Sequence, residues 1–246
     1  MKGSTCRAYE KARAKPRLDA NGQVRTAGSS TVRRELGVLQ AALKHAHGEG
    51  LLIHPIQVTL SASGEPRDRW LTRKETADLL RAAAPHARRF ILISIYTGRR
   101  MSAVLELTWT RVDLETGRVR FQADGVHETK KRRGSVRVPR QLLAHLRRWK
   151  RLTGPGDTHV VSFNGRPVKS IKTALNKARN RAGLDHDVTR HALKHTAVTW
   201  AVMTGRLSVE AAAEFFATSP TTIRKHYWHH SPHHQAEGRA ALEKRR

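Results

Sequence analysis

Cysteine is almost absent from this sequence, since Cys6 is the only one among 246 residues. A single thiol cannot form a disulfide within the chain, which excludes the small secreted domains that depend on such crosslinks. Long apolar runs are also missing. No stretch reaches the roughly 18 apolar residues of a membrane span, and the N-terminus has no signal-peptide core. The sequence therefore predicts a cytoplasmic protein with no membrane partner.

Acidic residues are few: 20 Asp and Glu stand against 47 Lys and Arg, giving a formal net charge of +27. Like charge of this size opposes compaction unless a polyanion neutralises it. We therefore expect a nucleic-acid partner and a nucleoid-associated location. Aromatic residues are only 5% of the chain, which disfavours a platform that stacks the bases of single strands.

The C-terminal third contains the most suggestive polar residues. His191 and Lys194 are three positions apart, so on a helix they share one face. Further along, Tyr227 follows the basic run Arg224-Lys225-His226. A tyrosine hydroxyl among cations can act as a nucleophile, because positive charge lowers the cost of forming a phenolate.

Two further motifs accompany this tyrosine. Residues 97–109 read TGRRMSAVLELTW, and residues 191–195 read HALKH. In this order, and followed by Tyr227, they resemble the boxes of the tyrosine recombinase (phage integrase) family, whose second box reads His-x-x-Arg-His. The resemblance covers the C-terminal part of the chain.

The resemblance implies a fold and an activity. The fold class is mainly α with a small antiparallel sheet (α+β), in which a helical core-binding domain precedes the catalytic domain. The activity is site-specific recombination or integration of double-stranded DNA, typical of mobile elements. Strands are cleaved and rejoined through a covalent 3′-phosphotyrosine. Bond energy is retained in such an exchange, so no cofactor is expected.

Residue roles follow from position in the family's motifs. Tyr227 is the expected nucleophile, and Arg100 and Lys194 are the expected cations that hold the phosphate oxygens. His191 is the expected hydrogen-bonding or proton-transfer group. Thr218 stands nine residues before Tyr227, where the family usually has His or Trp.

Basic residues supply the remaining predicted contacts. On a hairpin expected between residues 127 and 139, the resemblance points to Lys131 as the general acid that protonates the leaving 5′ oxygen. Lys130 is the alternative, because hairpin length varies. The simpler interpretation is that the whole cluster binds phosphates electrostatically. The residues predicted to bind DNA are Arg33, Arg34, Lys44, Arg99, Lys130, Arg132, Arg133, His195 and Arg224.

Two positions depart from the family pattern. Lys194 replaces an arginine, so the charge is kept but the planar two-pronged contact to phosphate is lost. Thr218 can donate a hydrogen bond but lacks the reach of His or Trp. The chain is then either a slower enzyme or a degenerate, non-catalytic DNA-binding member of the family, and we favour retained catalysis. A type IB topoisomerase-like enzyme shares the chemistry and is a further alternative.

The chain divides in two by composition. A stretch of small residues over 61–66 is typical of a linker. Residues 1–64 are expected to form a shortened helical core-binding (SAM-like) domain and the linker, with no arm-binding domain. Residues 65–246 are the expected catalytic domain, ending in a tail helix over 235–244. By resemblance the tail packs on a neighbouring protomer, which gives a tetramer on DNA, and an accessory DNA-bending protein is a further candidate partner.

Five histidines near the C-terminus raise the alternative of a zinc site: His226, His229, His230, His233 and His234. Their spacing fits no standard structural site and no cysteine is nearby, so no metal is predicted.

Local signals place the helix ends. Thr72 and Glu75 have the spacing of a capping box, and Thr31 is a candidate N-cap. Gly98 is a helix stop, after which Arg100 begins a new helix. Short strands are expected over 112–121 and 158–163.

Overall fold

The computed structural model describes residues 3–18, 22–62, 69–122 and 134–243. The chain forms two compact units, Met1–Arg67 and Asp68–Arg246. Within the described ranges helices predominate and the strands are short and antiparallel, which confirms the predicted fold class. None of the helices in these ranges is long and apolar enough to cross a membrane.

The first unit is a pair of helices joined through a small hairpin. Its elements are α1 (Gly3–Ala14), β1 (Arg17–Leu18), β2 (Val24–Arg25) and α2 (Ser29–Gly48). The two helices pack around a small apolar cluster of Cys6, Val32, Leu36 and Val58. Both strands are exposed two-residue segments, so no apolar alternation marks them in the sequence.

The start of α2 differs from the expectation. The carbonyl of Gly28 accepts hydrogen bonds from the N–H groups of Thr31 and Val32, at 2.9 and 3.2 Å. Gly28 is therefore the N-cap, and Thr31 already lies in the first turn. The prediction of Thr31 as N-cap was wrong, because glycine also serves at this position without a side-chain hydroxyl.

The second unit contains the other elements. They are α3 (Arg73–Ala82), α4 (Pro85–Thr97), α5 (Met101–Leu105), β3 (Arg118–Arg120), β4 (Ser135–Arg137), α6 (Arg140–Arg151), β5 (Ser162–Phe163), β6 (Arg166–Pro167), α7 (Lys172–Arg181), α8 (Arg190–Met203), α9 (Val209–Phe215), α10 (Pro220–His226) and α11 (Ala236–Glu243). The helix α4 buries several large apolar side chains, among them Phe90, Ile91 and Ile93. It packs against α5, α6 and α8 and so forms the centre of the unit.

Two predicted helix ends are confirmed. Thr72 accepts the N–H of Glu75, and the Glu75 carboxylate accepts the N–H of Thr72 at 2.8 Å, so the capping box that opens α3 is present. At the end of α4, Gly98 adopts a left-handed φ of 58° and donates its N–H to the carbonyl of Ser94. Arg100 is then the N-cap of α5.

The sheets are small hairpins. β3 pairs with β4, which places Val119 opposite Val136 with both buried, and Val112 bridges Val119 from the preceding turn. β5 and β6 are joined by Asn164 and Gly165 at φ 49° and 73°, as a two-residue hairpin turn requires. Of the strand predicted over 158–163, β5 is the regular part.

Candidate active site

The loop between α4 and α5 presents two consecutive arginines. It turns at Gly98, where an added Cβ would lie 2.5 Å from Cδ1 of Phe216, so only glycine fits beside that ring. Arg100 follows at the start of α5 and is exposed. The loop is thereby held against α9 on one side, and its second arginine faces solvent.

Arg99, which the sequence predicts to bind DNA, is enclosed. Its side chain is only 4% exposed, and its guanidinium carbon lies 5.2 Å from the ring centroid of Phe121. Nε and Nη1 have no hydrogen-bond partner in the described part of the chain. Burial, helped by the neighbouring charge of Arg100, lowers the pKa of Arg99 to about 10.

The helix α8 carries the second motif. Thr196 fixes this helix in place, because its hydroxyl donates to the carbonyl of Ala192 at 2.7 Å and accepts the N–H of Leu71 at 2.8 Å. Leu193 is fully buried, which leaves His191 exposed and Lys194 half-buried on the other side of the helix. His191 and Lys194 thus lie away from the buried Leu193, on the face that their spacing predicted them to share.

Lys194 lies in the electrostatic field of both arginines. Burial first, and then the positive charges of Arg100 and Arg99, lower the pKa of the Lys194 ammonium to about 8. The pKa of His191 is also lowered, by burial and by the charges of Arg190 and Lys194. Because α4 packs directly against α8, motifs distant in sequence meet here in one cluster of cations.

Tyr227 is close to the second motif but buried. It ends α10, is 4% exposed, and its ring centroid lies 5.4 Å from that of His195. It shares an apolar cluster with Val198, Phe216 and Ile223. Phe216 also touches the Gly98 turn, so this cluster connects the arginine loop to the tyrosine-bearing segment.

Thr218 lies in the turn between α9 and α10. Its N–H donates to the carbonyl of Ala213 at 2.9 Å, and the preceding Ala217 adopts a left-handed φ of 48°. This pattern closes α9 with a Schellman motif, although an alanine stands where glycine is usual. Thr218 is half-buried, and its part in catalysis stays a prediction.

A sequence model of the phage integrase family matches residues 69–234. The chain belongs to the phage integrase family. The match covers both arginines of the α4–α5 loop, the HALKH motif and Tyr227. No curated protein sequence gave a significant match.

Solved structures of similar fold are recombinases and integrases. A Tn1549 transposon integrase in complex with transposon right end DNA aligns with a TM-score of 0.73 at 18% identity, covering 100% of this chain and 85% of that one. XerA recombinase aligns with a TM-score of 0.55 at 18% identity, covering 98% and 90%. A lambda integrase tetramer bound to a Holliday junction aligns with a TM-score of 0.64 at 17% identity, covering 89% and 62%. At these identities the likeness establishes the fold and not the activity.

The other residues of this integrase-family chain that were predicted to bind DNA differ in exposure and in the groups they contact. Arg34 and Lys44 are exposed on α2, whereas Arg33 donates to the carbonyl of Ser61. Arg224 is exposed and forms an ion pair with Glu210 at 2.8 Å. The predicted general acid and its neighbours, Lys130, Lys131, Arg132 and Arg133, lie outside the described residues. Within the described ranges, no three His, Cys, Asp or Glu side chains group closely enough to hold a metal ion.

Sequence reasoning missed two features of the site. It did not indicate that Arg99 is enclosed, because the local pattern of the α4–α5 loop does not report what its side chains pack against. It also missed the contact of Phe216 with Gly98, because no local pattern indicates contact between residues so far apart in sequence.

Proposed function

We propose that this protein is a site-specific DNA recombinase that cleaves and rejoins double-stranded DNA through a covalent 3′-phosphotyrosine. The observation that carries the proposal is the cluster of Arg99, Arg100 and Lys194, which two distant motifs form. Lys194 lies on α8, the helix whose His195 ring is 5.4 Å from the Tyr227 ring. A protein that binds DNA by charge alone can keep its cations exposed, so it does not need to bury several of them close together, which costs free energy of desolvation and repulsion. Its expected place of action is the nucleoid in the cytoplasm.

Phosphate binding is the first task of this site. A pentavalent phosphorus carries extra negative charge on its non-bridging oxygens, so fixed donors aimed at them stabilise the transition state. In our proposal Arg100 supplies a two-pronged guanidinium contact, and Lys194 supplies a point charge. His191 donates a hydrogen bond to the same oxygens or moves a proton.

Strand cleavage then proceeds by exchange of one ester for another. The Tyr227 hydroxyl gives its proton to His191 as its oxygen forms a bond to phosphorus. The bond from phosphorus to the 5′ oxygen breaks at the same time, and Lys131 gives that oxygen a proton. Attack by a 5′ hydroxyl of a partner strand reverses the step and returns the proton. No net hydrolysis takes place, so no nucleotide is consumed.

Burial of Tyr227 adds a conformational step to the proposal. With 4% of its side chain exposed, the ring cannot reach a phosphate on the surface of a duplex. We infer that DNA binding draws Tyr227, which lies between α10 and a 3-10 turn over Trp228–His230, outward. The movement takes the ring out of its apolar cluster, so DNA binding must offset the loss of those contacts.

Assembly is proposed to use the C-terminal tail. The tail helix α11 exposes Leu242, which is 77% accessible. In the second unit an apolar groove of about 510 Å³ is lined by Leu80, Tyr96, Trp200 and Phe215. We propose that the groove of one protomer takes the tail of the next in a tetramer on DNA, and Leu242→Asp should then reduce the assembly to smaller species in light scattering with DNA bound. An accessory DNA-bending protein stays a prediction.

The test of cleavage begins by selecting a target duplex. Duplexes that the protein retains from a random pool are rebuilt with a nick near each candidate cleavage position, so that the released fragment diffuses away. Wild type is expected to form an adduct with DNA that survives detergent, and Tyr227→Phe is expected to form none while binding equally well. If the wild type binds its selected duplex but forms no adduct at any nick position, the recombinase proposal is wrong.

A non-catalytic DNA-binding protein is the second candidate, and the burial of Tyr227 together with Lys194 favours it. It predicts that Tyr227→Phe is indistinguishable from wild type in every assay of DNA. A topoisomerase-like enzyme predicts instead that the protein relaxes supercoiled plasmid lacking the selected site. Relaxation that depends on Tyr227 and not on the site would support that alternative.

A further inference from the structure

Arg99 is a buried cation that the proposed chemistry leaves without a task. Its side chain is 4% exposed, and two of its three guanidinium nitrogens, Nε and Nη1, are enclosed without a hydrogen-bond partner in the described part of the chain. A buried charge without a partner is costly, and proteins retain one chiefly where it serves a ligand. Nη2 is not enclosed in this way.

The surroundings of Arg99 indicate an anion as its ligand. Its guanidinium carbon lies 5.2 Å from the ring centroid of Phe121, and its charge interacts with those of Arg100 and Lys194. The aromatic face offers only a weak attraction to the cation. Three positive charges held close together repel each other, and a bound anion would offset this repulsion.

Lysine stands at position 194, where the family motif has arginine, and this difference suggests which anion Arg99 binds. A lysine offers a point charge where a guanidinium would offer two parallel hydrogen bonds. Arg99 lies on the arginine loop beside Arg100 and is close enough to Lys194 for its charge to be felt there.

We propose that Arg99 is a catalytic residue of the phosphate site, where its guanidinium holds a non-bridging oxygen of the scissile phosphodiester together with Arg100 and Lys194. This inference rests on the proposed function, because it takes the cluster to be the place of cleavage. Arg99 then supplies the guanidinium contact that position 194 lacks.

The test uses inorganic phosphate as probe and the full chain without DNA. Lysine ε-carbon resonances are followed by NMR, and that of Lys194 is assigned by its loss in Lys194→Arg. Phosphate is titrated at constant ionic strength into wild type, Arg99→Met, Arg99→Lys and the control Arg81→Met. Arg81 is an exposed arginine of α3 that is bound to Asp78, so its variant removes the same charge far from the proposed chemistry.

Saturable movement of the Lys194 resonance is expected in wild type. Arg99→Met should weaken phosphate binding about tenfold, the effect of losing one charge-assisted contact, and Arg99→Lys should weaken it less. Arg81→Met should bind as wild type does. Phosphate affinity that is unchanged in Arg99→Met, or a wild type without a saturable response, would overturn the proposal.

A stability measurement separates this role from a structural one. If Arg99 serves an anion, Arg99→Met should unfold at the same or a higher denaturant concentration than wild type, because an unpartnered buried charge is removed. If Arg99 serves the fold, the variant should be less stable and the more conservative Arg99→Lys should restore stability. A missing DNA adduct with an intact phosphate response would remove the recombinase proposal and leave the Arg99 site in place.

Discussion

At the scale of single residues, Lys194 sets the expected rate of the proposed cleavage reaction. It keeps the charge of an arginine but not the two-pronged contact, and loss of one donor in such a site costs ~10²–10³ in rate. We predict that Lys194→Arg raises the rate of adduct formation about tenfold at pH 7, less than the full cost because the surrounding side chains are arranged around lysine. Single-turnover cleavage of the nicked duplex measures this rate. Equal or slower cleavage would mean that the site has adapted to lysine.

The low pKa of Lys194 makes a separate prediction about pH. The folded protein holds this pKa at about 8, below its ordinary value of 10.5, so the ammonium is charged below pH 8 and neutral above it. Cleavage at subsaturating DNA, which reports groups of the free enzyme, should therefore fall as the pH rises through about 8. Lys194→Arg should remove this fall, because a guanidinium keeps its proton throughout that range. DNA binding measured at each pH is the control, and a parallel fall in both proteins would assign the titration to another group.

The sequence named the residues of the proposed site but did not indicate the burial of their side chains. Arg100, Lys194 and Tyr227 could be named because each belongs to a short motif with fixed spacing. Motif spacing does not report burial, so the enclosure of Arg99 and of Tyr227 could not be foreseen. Burial depends on what the rest of the chain packs against, and Phe121 and Phe216 come from segments that no motif connects to the site.

At the scale of elements, helix ends were predictable where one residue determines the geometry. Gly98 and the Thr72–Glu75 capping box are of this kind, because backbone conformation and a local hydrogen bond suffice. The β1–β2 hairpin was missed because two-residue strands carry no periodicity. The cap of α2 was misplaced because Gly28 gives no side-chain signal.

The junction of α4, α5 and α9 gives a prediction about stability. Gly98→Ala should lower the free energy of unfolding for two reasons. The left-handed backbone disfavours alanine by about 1–2 kcal/mol, and a clash with the Phe216 ring costs a further ~1–3 kcal/mol. Gly183→Ala is the matched control, with φ +66° and nothing within 4 Å of the added Cβ. Urea unfolding followed by tryptophan fluorescence reports the second unit, because all five tryptophans lie there. Equal losses of unfolding free energy in the two variants would show that the Phe216 ring moves aside without cost.

The α3 capping box predicts a stability difference that depends on pH. Glu75 bonds Arg69 at 2.5 Å and the N–H of Thr72 at 2.8 Å, and its pKa is lowered from 4.5 to about 2, chiefly by Arg69. A depressed carboxyl pKa stabilises the fold above the unfolded value and loses that effect as the pH falls. Glu75→Gln should thus destabilise the protein by about 1–2 kcal/mol at pH 7, since hydrogen bonds to a charged group are lost.

The difference between Glu75→Gln and wild type should shrink between pH 4.5 and about 2. Glu214→Gln provides the comparison, because Glu214 is an exposed carboxylate on α9. Urea unfolding at a series of pH values measures both. A Glu75→Gln deficit that persists at the lowest pH would assign the effect to packing and not to charge.

At the scale of the whole molecule, the net charge of +27 governs how the protein would find DNA in the proposed function. Positive charge on both units would attract any duplex, and only the cluster of Arg99, Arg100 and Lys194 would distinguish the scissile phosphate. Non-specific binding should therefore be tight at low salt. Its affinity should fall by a factor of ~10³–10⁵ between 50 and 200 mM salt if 6–10 phosphates are contacted. This attraction alone cannot position a phosphate at Tyr227.

The exposed cations of α2 allow that prediction to be divided between the units. Arg34 and Lys44 are both exposed, so if each contacts a phosphate, Arg34→Gln with Lys44→Gln should reduce the slope of log K against log salt by about 2. Lys74→Gln with Arg81→Gln removes the same charge from α3, where both side chains are already bound to Asp78, and should change the slope little. Fluorescence anisotropy of a labelled duplex over a salt series gives the slopes. Equal slopes for the two double variants would mean that α2 contributes only to the general field of the molecule, and that its arginine and lysine make no contact of their own.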